Sequence, residues 1–484
     1  MFKTYFETLA NCFRIPELRS RIWFTLFVLV ICRLVALTPV PGLDGEVLLK
    51  AFDDLREAEA NNPDGSSPNL LGLYSLFTGG ALERCAIGSL GIMPYISATI
   101  ILQLMTAVVP SLSKLSREEG GRTQIIKYGR YLTVLLCLGQ GYVMSIGWEN
   151  PGRVFQGLDL EGKLVRDPGT WYRIQTMLML TTGTVLLMWM GEQITERGVG
   201  NGVSLVITIG IIARLPQAAQ SLWDMFAGQM VDGEMVSQFN MFHGFLLVGL
   251  LLGIVAAVIA MTQGQRKIPV QYAQRAVGRK MYQGGSSFLP LRVNYAGVMP
   301  IIFAQAILMF PQAIFQFLAG LPAVSSIDPQ GNVTGGLLYS VFNTLSLKLA
   351  YGEPWFLVLE GSMIMFFSYF WVATQFNETQ IADDLKKYGG YIPGQRPGAP
   401  TRDFLHHAMS RLTLAGAVFL VVIAIIPTIM SDQLNIPFAV SSFFGGTSIL
   451  ITVGVMLDTM RQLESHLMMR HYDGFLQKGK IRGR

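Results

Sequence analysis

Ten long apolar runs dominate this 484-residue sequence and limit what it can fold into. Hydrophobic residues make up 51% of the chain and charged residues only 14%, whereas about 25% of the residues in soluble globular proteins are charged. About 20 consecutive apolar residues suffice for a helix to cross a bilayer. The runs are continuous, whereas the strands of a spanning β-barrel alternate between apolar and polar residues. The sequence therefore predicts an all-α integral membrane protein.

The predicted transmembrane spans have boundaries that follow these runs. We place them at residues 22–38, 90–109, 131–147, 172–191, 203–226, 242–262, 295–318, 355–376, 412–430 and 438–460. The fifth span is the weakest, because its strongly apolar part ends at Ala213, just before Arg214.

The distribution of Lys and Arg predicts the orientation, because cytoplasmic segments are enriched in these residues. With a cytoplasmic N-terminus, 27 of the 37 basic residues fall in inner segments and 9 in outer loops. Arg33 lies inside the first span, close enough to its outer end for the side chain to snorkel toward water. Omitting the fifth span would place the basic loop 266–292 outside. We therefore predict ten spans with both termini in the cytoplasm.

Two sequence matches indicate an internal repeat. Residues Gly91 to Pro94 (GIMP) open the second span, and residues Gly297 to Pro300 (GVMP) open the seventh. Residues 201–210 similarly match residues 445–454. Both pairs are five spans apart, and because five is odd the two halves insert in opposite directions. An inverted repeat of this kind places the functional site between its halves.

The repeat and the charge pattern together predict four regions. Residues 1–21 form an amphipathic segment on the inner leaflet, and residues 22–230 form an N-terminal half with spans 1–5. Residues 231–460 form a C-terminal half with spans 6–10, and residues 461–484 form a basic cytoplasmic tail.

A short apolar stretch at residues 71–87 precedes the second span. It is too short to cross the membrane, and Gly79 and Gly80 interrupt it. We interpret it as a re-entrant helix that enters from the outer side and turns at Gly88–Gly91 into the second span. Such backbone is tolerated at membrane depth only inside protein or beside a water-filled cavity. The sequence therefore predicts a central cavity that holds a small element.

The repeat also predicts a ring of isoleucines around that cavity. Alignment of the two matches pairs Ile96 with Ile302 and Ile207 with Ile451, and Ile92 lies one turn before Ile96. Stiff β-branched side chains would form a narrow apolar constriction, which blocks ions by excluding water. The alternative is that these isoleucines are ordinary packing residues.

Ionisable residues are rare within the predicted spans, where Arg33 is the main case and Glu360 lies near the outer start of the eighth. Coupled carriers usually keep such groups at mid-membrane. This pattern argues against the competing hypothesis, an inverted-repeat secondary transporter of a small solute. We also find no sequence motif for catalysis, nucleotide binding or a cofactor, and we expect neither an enzyme nor a cofactor.

Two cytoplasmic loops carry candidate docking residues. The loop 265–292 contains six basic residues and no acidic ones, and the loop 377–411 presents Arg396 in a turn rich in Pro and Gly. Clustered basic side chains attract acidic or RNA-bearing partners, although the positive-inside rule alone also explains them. The docking candidates are Arg266, Lys267, Arg275, Arg279, Lys280 and Arg396.

Several motifs in order resemble those of the SecY family, the channel subunits of bacterial protein translocation. They are LGIMPYIS at 90–97, GVGNGVS at 198–204, GQRKI at 264–268, LPLRVN at 289–294, ADDLKK at 382–387, PGQRPG at 393–398 and GGTS at 445–448. The resemblance runs over nearly the full length. It implies an hourglass pore between two five-helix halves, through which unfolded preproteins cross and apolar segments leave sideways into lipid.

The resemblance also assigns roles to residues and partners. The five isoleucines would form the pore ring, and Ser97 and Phe310 would line a lateral gate between spans 2–3 and 7–8. The stretch 71–87 would be a plug, with candidate residues Leu73, Phe77, Gly79, Gly80 and Ala81. Implied partners are SecE- and SecG-like small membrane subunits, a SecA-like motor ATPase, the ribosome, signal sequences with their preproteins, and membrane lipid. The implied location is the bacterial inner membrane.

Two outer segments depart from what we expect of this family, and one of them is the long polar loop 150–171. The outer segment 46–69 is longer than expected before the plug. It is either a helix over the outer funnel or a flexible linker.

Overall fold

The computed structural model describes most of the chain. The described residues are 13, 15–61, 75, 78–118, 120–151, 163–227, 229–231, 234–236, 241–272, 275–277, 280–282, 286–319, 325–327, 333–350, 352–434, 436, 440–441, 443 and 446–478. Their helices are α1 (Pro16–Leu37), α2 (Gly45–Asn61), α3 (Met93–Val108), α4 (Pro110–Arg117), α5 (Gly121–Glu149), α6 (Thr170–Arg197), α7 (Gly202–Ile212), α8 (Leu215–Ala227), α9 (Met241–Gln263), α10 (Met299–Ala319), α11 (Leu337–Lys348), α12 (Pro354–Gln375), α13 (Glu378–Lys387), α14 (Ala399–Leu434) and α15 (Thr447–Lys478). The strands are β1 (Gln229–Val231), β2 (Glu234–Val236), β3 (Gln265–Tyr272), β4 (Arg275–Val277), β5 (Lys280–Tyr282), β6 (Ser286–Arg292), β7 (Ser325–Ile327), β8 (Val333–Gly335) and β9 (Gly390–Tyr391).

Helices occupy all ten predicted span positions within the described residues. The corresponding elements are α1, α3, α5, α6, the pair α7 and α8, α9, α10, α12, α14 and α15. Seven helical stretches are long and apolar enough to cross a membrane by themselves, and the bent pair of α3 and α4 makes an eighth. Large apolar side chains such as Phe27, Phe245 and Val358 are exposed on these helices and are suited to contact lipid. The chain is a multi-pass membrane protein.

Two predicted region boundaries do not coincide with breaks in the structure. Helix α1 already begins at Pro16, so residues 16–21 are continuous with the helix of the first span. Proline suits this position because the first helical turn needs no backbone N–H donor. Helix α15 continues through residue 461 to Lys478 without interruption. Residues 1–12 and 479–484 lie outside the described part.

The central core lies between helices from both predicted halves. One continuous cluster of buried apolar side chains includes residues of α1, α3, α6 and α7 and residues of α9, α10, α12, α14 and α15. Helix α3 packs directly against α10. This contact brings the second and seventh predicted spans together, as a gate between them requires.

The outer segment after the first span is helical. Helix α2 buries Leu48 and Phe52 in a cluster that also holds Leu82 and Cys85 of the plug stretch. Of the two alternatives for residues 46–69, the structure supports a helix for the part up to Asn61. Residues 62–69 lie outside the described part.

The two basic loops, 265–292 and 377–411, form one platform. Strand β3 pairs antiparallel with β6 and β9, which joins the loop after α9 to the loop after α12. Buried side chains of Ile268, Val270 and Leu291 pack with Ile392 and Leu405 beneath this sheet. The shared sheet and core hold the two loops as one surface.

Candidate pore and plug site

The five candidate ring isoleucines come from four helices and belong to the same central cluster. Their exposed fractions are 3% for Ile92, 4% for Ile96, 3% for Ile207, 1% for Ile302 and 1% for Ile451. Ile92 is the residue before α3, and Ile96 lies in its first turn. The structure therefore places all five in one apolar, water-excluding region between the helices, where the repeat predicts a constriction.

The turns that open α3 and α10 share a backbone conformation. Gly91 has φ +59° and Gly297 has φ +64°, the left-handed region that favours glycine. Each precedes a helix that opens with Met-Pro. The equivalence supports the predicted repeat, because the matching sequences also match in local structure.

The described residues of the plug stretch 71–87 are Ser75 and residues 78–87. Ser75 and Thr78 are helical, and residues 79–87 form turns and an isolated bridge, so the predicted re-entrant helix does not resume after the interruption at Gly79 and Gly80. Consecutive left-handed backbone at Gly79 and Gly80, with φ +64° and +82°, ends the helix there. Ala81 follows and is fully buried, whereas Leu73 and Phe77 lie outside the described residues.

The tip of the plug, which we define as Ser75 and residues 78–80, packs closely beside the ring. A Cβ atom at Gly79 would lie 2.8 Å from the Cα of Gly210, which is one turn after Ile207 in α7. A Cβ at Gly91 would lie 3.2 Å from the Cγ2 of Thr78. Helix α7 and the turn before α3 therefore both contact the tip directly.

The base of the plug, residues 81–87, is attached by backbone hydrogen bonds. The Val40 N–H donates to the Cys85 carbonyl at 2.8 Å, and the Ile87 N–H donates to the Thr38 carbonyl at 2.8 Å. The base also shares the buried outer cluster with α2. These bonds and contacts tie the base to the segment that follows α1.

The tip, in contrast, is held by arginine side chains. Arg33 of α1 donates from Nη1 to the Gly79 carbonyl at 2.6 Å. Arg214, at the break between α7 and α8, forms an ion pair with Glu83 and donates from Nη2 to the Ser75 hydroxyl at 2.8 Å. The Ser75 hydroxyl donates to Glu83 Oε1 at 2.5 Å. Charged groups from two spans therefore converge on the plug.

These contacts correct one prediction and add residues that the sequence reasoning missed. Arg33 points to the plug instead of snorkelling to water, because the Gly79 carbonyl satisfies its charge within the protein. Ser75, Glu83 and Arg214 were not among the predicted site residues. The sequence did contain one signal for them. An arginine within a predicted span is costly unless its charge has a partner inside the protein.

The candidate gate lies at the seam of α3 and α10. Ser97 of α3 is 3% exposed, and its hydroxyl donates to the Met93 carbonyl at 3.0 Å, within its own helix. Phe310 belongs to α10, but its side chain lies outside the described part. The structure therefore shows the contact between α3 and α10. Of the two candidate gate side chains, it describes only that of Ser97.

A buried polar contact joins α10 to α12. Gln305 Nε2 donates to Glu360 Oε1 at 3.1 Å. Glu360 is 1% exposed and Gln305 is 2% exposed. Gln305 Oε1 and Glu360 Oε2 have no hydrogen-bond partner among the described residues. The sequence placed Glu360 near the start of this span without predicting its contact with Gln305.

The structure describes the side chains of some docking candidates but not of others. Arg266 and Lys267 are exposed on β3, and Arg396 is exposed in the turn after β9. Arg275 and Lys280 lie on β4 and β5, but their side chains are outside the described part, as is all of Arg279. The shared sheet thus joins the loops that bear Arg266, Lys267 and Arg396.

Comparisons with known proteins identify the family. The SecY family model matches residues 86–460. The chain is 40% identical over 488 residues to the protein translocase subunit SecY of Chlamydia muridarum, covering 99% of each chain. It is 38% identical to that of Thermotoga maritima, again over 99% of each chain, and 39% identical to that of Streptomyces coelicolor, over 97% of this chain and 99% of the relative.

Solved structures share the fold. A structure described as a protein conducting channel matches with TM-score 0.60 at 16% identity, covering 98% of this chain and 99% of the other. Sec61 in a canine ribosome–channel complex matches with TM-score 0.56 at 16% identity, over the same shares. The full-length match to translocase subunits favours a channel over a small-solute transporter. The chain belongs to the SecY family of protein-conducting channels.

Proposed function

We propose that Ile92, Ile96, Ile207, Ile302 and Ile451 form the waist of the pore. The observation that carries this assignment is their burial in one cluster directly beside the plug tip. A narrow apolar ring excludes water and therefore ions. It also offers no polar side chain that would hold a passing polypeptide. The ring then closes the channel at rest and surrounds the preprotein during translocation.

The plug completes the seal from the outer side. Gly79 and Gly80 allow the sharp turn that brings the tip against α7, and Ala81 is small enough to be fully buried beneath it. The tip leaves the pore when a chain passes. The base stays with the segment after α1, because backbone hydrogen bonds attach it there.

The seam between α3 and α10 serves as the lateral gate. A signal sequence, itself an apolar helix, inserts between these helices and separates the predicted halves 22–230 and 231–460. Ser97 and Phe310 line this opening, through which apolar segments reach lipid. The direct packing of α3 on α10 supports this role.

The cytoplasmic platform binds the partners that supply the driving force. Exposed Arg266, Lys267 and Arg396 on joined loops suit an acidic or RNA-bearing surface, and Arg275, Arg279 and Lys280 extend the same loop. A SecA-like motor and the ribosome are the proposed partners, and SecE- and SecG-like subunits complete the complex. Both termini are cytoplasmic, the membrane is the bacterial inner membrane, and the chain itself catalyses no reaction.

Site-specific crosslinking tests the ring. Single cysteines replace Ile96, Ile207, Ile302 or Ile451 in a background without the four native cysteines, and a secretory chain with its own cysteine is stalled in the membrane before oxidation. We expect disulfide crosslinks at all four positions. Lipid-facing Phe245, which is 75% exposed, provides the negative control. Crosslinks at Phe245 but at none of the four, with the chain stalled in this protein, would refute the ring.

A further inference from the structure

Two charged side chains of opposite sign meet at the plug although water is largely excluded there. The Glu83 side chain is 5% exposed and that of Arg214 is 13% exposed. The Ser75 hydroxyl connects them, since it accepts from Arg214 Nη2 and donates to Glu83 Oε1. Ser75 itself is fully buried. The three residues form one hydrogen-bonded group that joins the plug to the break between α7 and α8.

The position of this group determines which motion it opposes. Ser75 belongs to the tip, Glu83 to the base, and Arg214 to the segment just after the helix that carries Ile207. Backbone hydrogen bonds at Val40 and Ile87 retain the base. The described residues of the tip show no such bonds to the helices, and among them the Arg33 contact with the Gly79 carbonyl is a second polar attachment. Withdrawal of the tip therefore requires the Ser75–Arg214 and Arg33–Gly79 contacts to break.

We propose that Ser75, Glu83 and Arg214 form a latch that holds the plug tip in the closed channel and sets how strong a signal sequence must be to open it. This proposal rests on the function proposed above. Removing one partner of a buried ion pair leaves an uncompensated charge, which strongly destabilises the state that contains it. In the open channel the same side chains face a water-filled funnel, where an unpaired charge costs little. Loss of the latch therefore shifts the equilibrium toward opening.

The chain offers a matched control for the ion pair. Glu149 of α5, whose side chain is 4% exposed, pairs with Arg173 of α6 at 2.6 Å. This pair also joins two elements of the predicted N-terminal half, but it includes no plug residue.

The experiment measures chloride leak from liposomes that contain the full-length channel complex. We expect Glu83→Gln and Arg214→Gln each to raise the leak about tenfold or more. The double variant should leak less than either single variant, because neither charge then remains buried without a partner. Glu149→Gln should leak like the wild type.

A second readout separates a latch from general structural damage. Cells with the Glu83→Gln channel should export proteins whose signal sequences are too weak for the wild type, and should export normal substrates at the wild-type rate. Ser75→Ala, which changes no charge and removes only a hydroxyl, should give the same phenotype more weakly. It replaces Glu83→Gln in these assays if the latter does not accumulate.

The outcomes distinguish failure of the latch from failure of the channel mechanism. One outcome would overturn the latch alone. In it the wild type translocates protein with a low chloride leak, and Glu83→Gln, Arg214→Gln and Ser75→Ala show the same low leak and unchanged signal-sequence selectivity. A wild type that cannot translocate a secretory chain through the ring would instead overturn the proposed function. Equal leak in Glu149→Gln and Glu83→Gln would show that the effect is not specific to the plug.

Discussion

Gly91 and Gly297 hold the same left-handed backbone conformation at the start of two helices that pack against each other. The two sites differ in one respect. A Cβ at Gly91 would lie 3.2 Å from Thr78 of the plug, whereas a Cβ at Gly297 would meet nothing within 4 Å. The repeat therefore produces two equivalent turns, of which only one contacts the plug.

This difference makes the two glycines a natural pair for mutation. Alanine at either position should destabilise the protein by about 1–2 kcal/mol, because an L-residue is strained in the left-handed region. Gly91→Ala should in addition raise the resting ion leak, since its methyl group presses on Thr78. Thermal unfolding measures the first effect and liposome leak the second. Equal leak in both variants would contradict the role given to the Thr78 contact.

A polar side chain in the ring should open the seal. In Ile302→Asn a buried amide replaces an apolar side chain, which costs roughly 1–3 kcal/mol where no partner is available. Water entering the waist relieves that cost, so we expect a higher ion leak and relaxed signal-sequence selectivity. Electrophysiology in planar bilayers measures the leak.

The neighbour of Ile302 supplies the control for this variant. Ile301 is fully buried in the same cluster but points to another face of α10. Ile301→Asn should lower thermal stability by a similar amount without a specific gain in leak. Normal leak and normal selectivity in Ile302→Asn would remove Ile302 from the ring.

Because Gln305 and Glu360 form a buried contact, an isosteric substitution of Glu360 should lower the stability of the protein less than a truncating one. Glu360→Gln keeps an acceptor for Gln305 Nε2 and should cost less than 1 kcal/mol. Glu360→Ala leaves that amide buried without a partner and should cost about 1–3 kcal/mol. Thermal unfolding of the purified protein gives both values. Equal stability of the two variants would show that the contact does not support the packing of α10 on α12.

The platform residues should affect partner binding without affecting the pore. We expect Arg396→Ala, alone or combined with Arg266→Ala, to weaken binding of a SecA-like motor about tenfold, with a strong dependence on salt. The resting ion leak should not change, because these side chains are exposed on the platform and belong to neither the ring nor the plug.

Arg402→Ala provides the comparison for the platform. Arg402 is exposed in the same loop and pairs with the adjacent Asp403. We expect this variant to bind the motor almost normally. If all three substitutions weakened binding equally, net charge would account for docking and the individual positions would not.

The sequence by itself determined the class of protein and most of its helices, because hydropathy and the placement of Lys and Arg follow from the physics of a bilayer. The repeat at Gly91 and Gly297 also pointed to five isoleucines that the structure places in one buried cluster. These features depend on local composition, on spacing along one helix, or on symmetry, all of which can be recognised in a linear sequence.

Only the tertiary structure decided which polar groups meet inside the fold. Arg33, far from Gly79 in sequence, donates to its carbonyl, and Arg214 pairs with Glu83 across a similar separation. No spacing rule predicts such contacts, since they depend on how the plug turns at Gly79 and where α7 ends. The sequence predicted the interruption at Gly79 and Gly80, but only the structure shows that residues 79–87 then form turns and an isolated bridge. Apolar composition indicates burial, but left-handed backbone at two glycines and contact with Gly210 determine where the helix stops.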